Sequence, residues 1–185
     1  MVKKILISAM TALLLVATGC EKQPPYTPNQ NNDPKTEVVT PDNGNKNAEV
    51  KGAKTLQVTV YYPDQAGMTL IPVQREIKIT DDSQKYINAV NCLLDAPTEA
   101  ELTKIFPKDA KIKSITLKGD TAIVDLDSSI TKNFVGGSTG EEFLINSVVD
   151  TLTEFDEVKQ VQFLIDGKEV ETLAGHMDLS APIKR

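Results

Sequence analysis

The stretch from Glu21 to about Lys54 limits what the rest of the chain can build, because it has hardly an apolar residue. Pro24, Pro25, Pro28, Pro34 and Pro41 are spread through it, as is the run Asn29-Gln30-Asn31-Asn32-Asp33. Such a segment buries too little apolar area to offset the entropy of ordering it, so it reads as a disordered tether. A tether of about 30 residues has an r.m.s. reach on the order of 30 Å, longer where proline stiffens it. The folded part must then come from residues 55–185, enough for one domain and too few for two ordinary ones.

Residues 1–19 differ in kind from the tether. Lys3 and Lys4 precede an apolar run, Ile5 to Val16, broken only by Ser8 and Thr11, and Ala17-Thr18-Gly19 lead into Cys20. A run of about a dozen suits the core of a signal peptide, whereas a membrane-spanning helix needs roughly 20 residues. The pattern resembles the bacterial lipobox, with Ala17 where leucine is commoner. That resemblance implies that Cys20 carries a diacylglyceryl group and becomes the first residue after cleavage. Two acyl chains suffice for stable anchoring, each methylene contributing about 0.8 kcal/mol. The expected organisation is a signal peptide over 1–19, lipidated Cys20 with its linker over 20–54, and a domain over 55–185. The expected location is the extracytoplasmic face of the cell membrane.

The chain has two cysteines. If Cys20 is lipidated, Cys92 has no intramolecular partner, which excludes a disulfide scaffold. Its place inside a predicted helix makes it a half-buried thiol. The formal charge is −6, and loss of Lys3 and Lys4 would take it to −8. An acidic chain without a basic cluster does not suit nucleic acid, and an anionic bilayer surface would repel it. The lipid, not the protein surface, would hold the membrane.

Within 55–185 the periodicities predict an α+β domain. Leu56–Tyr62 alternates apolar and polar residues as a strand, and Leu70–Ile79 forms a second beyond the loop Pro63–Gly67. A helix follows from Ser83 to Leu94, with Asp81 and Gln84 as a capping box and Tyr86, Val90, Leu93 and Leu94 on one face. Thr98 and Glu101 predict a short helix toward Ile105, ended by Pro107. Ile112–Leu117 and Ala122–Leu126 flank Lys118-Gly119-Asp120 as a hairpin. The longest helix starts near Ser138, with Glu141 three residues on, and runs to Phe155. Val158–Ile165 and Lys168–Leu173 form a final hairpin about Asp166-Gly167. The order ββα(α)ββαββ predicts a single compact domain with two main helices on one face of a mixed sheet.

No catalytic constellation emerges, and no metal or cofactor is expected. His176 is the one histidine, far in sequence from Cys92, and zinc sites want several such ligands at short spacing. Nucleophile elbows, phosphate loops and zinc-protease motifs are missing from the sequence. Asp125-Leu-Asp127-Ser128-Ser129 opens like a calcium loop. It has Ile130 at the sixth position where glycine is needed and Gly136 at the twelfth where glutamate is needed. Its carboxylates read instead as a water-facing strand end. In Gly175-His176-Met177-Asp178-Leu179, Gly175 suits a left-handed turn and Asp178 suits bonding to nearby amides.

Several strings together resemble the GerMN domain, a sporulation and spore-germination module of bacterial envelope lipoproteins. They are Asn91–Thr98, Leu117–Asp125, Glu141–Phe155, Val161–Gly167 and Leu173–Pro182, in that order. Ala96 stands where the family commonly has glycine, and one copy is present where sporulation members can carry two. The resemblance implies a non-enzymatic α+β domain with no agreed catalytic residues. It also implies a role in envelope assembly, with envelope proteins as partners. Ligand binding, for cell-wall fragments or small solutes, is the alternative; wall hydrolysis is a third.

Overall fold

The computed structural model describes residues 52–185. The expected signal peptide, Cys20 and the expected tether up to residue 51 lie outside the described residues. The elements begin with β1 (Lys54–Pro63) and β2 (Leu70–Ile79), an antiparallel ribbon paired without a break from Lys54↔Ile79 to Pro63↔Leu70. Asp64 closes its turn: Oδ1 accepts from the backbone N–H of Met68 at 2.8 Å, and the Asp64 N–H donates to the Thr69 carbonyl at 3.0 Å.

Helix α1 (Gln84–Asn91) follows and tightens into a 3-10 turn over Cys92–Leu94. Asp81 and Gln84 do not form the predicted capping box, and the residue that precedes α1 is Ser83, without a side-chain cap bond. Asp81 accepts from the Ser83 N–H, and Gln84 Oε1 reaches back to the Thr80 N–H at 2.8 Å. Strands β3 (Ile112–Lys118) and β4 (Thr121–Leu126) pair as the predicted hairpin. A one-turn helix, α2 (Ser129–Lys132), was not expected from the sequence; Asp127 starts it by accepting from the Ser129 N–H at 2.9 Å. Helix α3 (Gly137–Thr153) then carries the chain to β5 (Gln160–Ile165), which lies parallel to β4. Parallel neighbours need such a crossover.

The α+β character and the two main helices are as predicted, but the strands divide between two sheets. The mixed sheet is the four-stranded one, ordered β3-β4-β5-β6, with β6 reduced to Lys168–Glu169. The β1–β2 ribbon stands apart from it. Helix α1 packs on both β2 and β3, and α3 on both β1 and β5. The join between ribbon and sheet is therefore made by helix side chains, not by a hydrogen-bonded ladder. Leu144, Ile145, Val148 and Leu152 of α3 are wholly buried, as are Val60, Val90, Leu126, Ile130 and Phe163. Each such side chain contributes about 1.5–3 kcal/mol.

Two predicted elements do not form. Residues 98–105 are not helical, because their backbone groups bond to the ribbon. The Thr103 N–H donates to the Pro63 carbonyl at 2.8 Å, the Gln65 N–H donates to the Glu101 carbonyl at 2.9 Å, and Leu102 bridges Asp64. Arg75 adds two bonds to the Glu99 carboxylate, at 2.9 and 2.7 Å. The final hairpin stops at Glu169 instead of Leu173. The edge of β5 that a longer strand would have used is taken by Ile183, which exchanges two backbone bonds with Val161 at 2.8 and 2.9 Å.

Candidate functional site

The chemistry of the domain concentrates on α3 and the two segments that cross it. Glu141 sits in the first half of the helix, three residues after Ser138. It is wholly buried. Oε1 accepts from the backbone N–H groups of Leu173 and Ala174, and Oε2 from that of His176, each at 2.9 Å. Of the strand expected to Leu173, Glu141 thus claims the last amide, while Ile183 holds the β5 edge. A buried charge is costly unless it is hydrogen-bonded, and three charge-assisted bonds satisfy this one. The sequence did hold a signal. Glu141 shares the period of Leu144, Ile145 and Val148, so it lies in the apolar stripe, where a glutamate needs a reason.

The loop held by Glu141 contains the Gly-His-x-Asp string. Gly175 is left-handed at φ 97°, and its N–H donates to Thr172 Oγ1 at 3.0 Å. Asp178 Oδ1 accepts from the Ser180 N–H at 2.9 Å and from its hydroxyl at 2.6 Å. Both residues thus do what the turn reading assigned them. The His176 side chain is exposed.

Further along α3 a groove of about 670 Å³ opens beside the β1–β2 turn. Met68, Leu70 and Phe143 give it apolar walls, and Glu142, Asn146 and Asp150 line it along the helix. Met68 is 76% exposed. At one end Arg185 lies over the Tyr61 ring, 4.8 Å from Cζ to centroid. Its Nη1 donates to Glu154 Oε1 at 2.6 Å and its Nη2 to Tyr61 Oη at 2.6 Å, while Nε stands 3.4 Å from Asp150 Oδ1. Tyr61 Oη donates to Glu154 Oε1 at 2.6 Å. Burial pushes the Asp150 carboxyl up, against the pull of Arg185. The Tyr61 and Arg185 bonds hold the Glu154 carboxyl below its ordinary value.

The other candidates are not brought together. Cys92 is half-buried on the far end of α1; burial raises its thiol, and Sγ donates to the Asn88 carbonyl at 3.4 Å. Asp125 and Asp127, at the end of β4, each accept one backbone N–H, from Gly167 and Ser129. Among the described residues no group of three or more His, Cys, Asp or Glu side chains could hold a metal ion. Among them, too, no helix is long and apolar enough to cross a membrane.

Fold and surface define a small α+β domain whose distinctive features are a groove and a locked loop. The chain belongs to the Germane family, described as sporulation and spore germination, whose model matches residues 59–171. Similar solved structures include the tandem GerMN domains of the sporulation protein GerM from Bacillus subtilis. That match has 25% identity and a TM-score of 0.55, and covers 71% of this chain and 46% of that one. The first GerMN domain of the same protein matches at 18% identity and TM-score 0.56, covering 70% of this chain and 98% of that one. A protein from Clostridium perfringens assigned as a lipoprotein matches at 24% identity and TM-score 0.51, covering 74% and 90%. The last two likenesses establish the fold alone. No protein with a curated description matches the chain.

Proposed function

We propose that the chain is a lipid-anchored lipoprotein of the extracytoplasmic membrane face, with its GerMN-type domain serving as an envelope assembly or adaptor module in sporulation or germination. The observation that carries this reading is the Germane match over residues 59–171. The lipobox-like approach to Cys20 and the polar leash after it support the anchor, with palmitate as one of the acyl groups on Cys20. The domain would act by binding proteins, with no cofactor and no catalytic step. Residues 55–185, which hold the whole described core, provide the test. Crosslinked in sporulating cells, they should yield an envelope protein that captures the domain in the reverse experiment; no such protein would end the reading.

A second reading, a ligand-binding lipoprotein for cell-wall fragments, is favoured by the groove, whose volume falls within the range of small-molecule sites. Muropeptides should then raise the thermal midpoint in proportion to the logarithm of their concentration. A flat response would remove this reading.

A further inference from the structure

Asp150 poses a requirement that the chain meets in an exchangeable way. Its side chain is only 19% exposed, and a carboxylate taken that far out of water is costly without a cationic partner. Among the described residues Arg185 supplies the cation, from a side chain that is 45% exposed. Such an ion pair is weak to hold, since water and salt screen it. The cradle around the cation is specific all the same. Tyr61 offers a ring face and a hydroxyl, Glu154 a carboxylate oxygen, and Asp150 a second carboxylate, all on elements fixed by the core. The Tyr61 backbone N–H is itself tied to Thr151 Oγ1 on α3, at 3.2 Å.

That combination of ring face and forked acceptors suits a planar guanidinium and not the point charge of an ammonium. We infer that the Tyr61–Asp150–Glu154 cradle is an arginine-binding site, filled in cis by Arg185 and open to an arginine on a partner's peptide segment seated in the adjoining groove. An incoming guanidinium remakes the contacts that Arg185 gives up, so the cradle keeps a cation and its hydrogen bonds in the exchange. What decides it is the apolar area the partner adds against exposed Met68 and the half-buried Leu70 and Phe143. Glu142 on the groove and Glu154 beside it add acidic charge that attracts a basic segment, against one further cation, Lys184. The inference rests on the protein-binding reading above and names the chemistry of the partner.

Nα-acetyl-arginine amide is the probe, with Nα-acetyl-lysine amide as control, titrated calorimetrically into the purified full chain at low salt. The Arg185→Gln chain should bind the arginine probe saturably and gain thermal stability as the probe rises. The unaltered chain should bind at least about tenfold more weakly, because its own side chain competes for the site. Adding Asp150→Asn to Arg185→Gln should abolish binding. If Arg185→Gln does not fold, Arg185→Lys keeps the charge but lacks the fork, and should likewise bind the arginine probe more tightly than the unaltered chain. No saturable binding to either variant, equal response to both probes, or binding that survives Asp150→Asn would each overturn the proposal. Such a result would leave protein binding itself standing. Failure to capture an envelope protein would in turn leave the probe titration intact.

Discussion

The loop from Leu173 to His176 hangs on one side chain, that of Glu141. Its carboxylate is buried three residues after Ser138, near the start of α3, and accepts from three amides of that loop. Its surroundings are assembled from residues more than 30 positions away, which no local pattern encodes; only its place in the apolar stripe of α3 betrays it. Glu141→Ala would leave three donors without their acceptor. It should cost roughly 3 kcal/mol or more in urea unfolding, since a hydrogen bond to a charged group contributes about 1.5–3 kcal/mol. A loss under about 1 kcal/mol would mean that the loop finds other partners. Asp178 and Gly175, by contrast, were legible, because their roles are satisfied within two or three residues. Cys20 rests on local pattern as well. Labelled palmitate should enter the unaltered chain and not Cys20→Ala; equal labelling of both would refute lipidation at that residue.

At the scale of elements, two ion pairs fix segments whose local sequence is ambiguous. Arg75 holds Glu99 and with it the stretch for which local sequence predicts a helix to Ile105. Lys85 of α1 reaches Glu157 at 2.7 Å, beyond the end of α3, and Tyr86 donates to the same carboxylate at 2.6 Å. Lys85 also lies 5.1 Å from the Tyr86 ring centroid, and Tyr86 meets Phe155 edge-on. These partners hold the carboxyls of Glu99 and Glu157 at about 2, from an ordinary value of 4.5. A depressed carboxyl binds its proton more readily in the unfolded chain. Its stabilisation is therefore complete above about pH 4.5 and is lost as pH falls through about 2. Urea midpoints followed across that window should fall more steeply for the unaltered chain than for the Glu99→Gln, Glu157→Gln double variant. Parallel curves would show that neither pair contributes. Strand and helix identities were readable from period 2 and period 3.6, and so were the hairpin turns. The 98–105 segment was not, since Arg75, Pro63 and Gln65 compete for it from other elements.

On the scale of the whole molecule, the class was legible and the division into two sheets was not. Alternation in Leu56–Tyr62 and Leu70–Ile79 says that each is a strand and says nothing of which ladder it joins; α1, packed on β2 and β3, decides that. The groove arises from the same arrangement, since it lies where the ribbon's turn meets α3, and its walls are residues unremarkable in sequence. Under the proposed function, Cys20 sets where the protein is, and the domain acts by binding envelope proteins there. A photo-crosslinking residue placed at Glu142, on the groove, in the full chain within sporulating cells tests that claim most directly. The predicted result is a discrete adduct with an envelope protein, recovered in the membrane fraction. Contradiction would be the absence of any adduct, both from Glu142 and from crosslinkers placed around the rest of the domain.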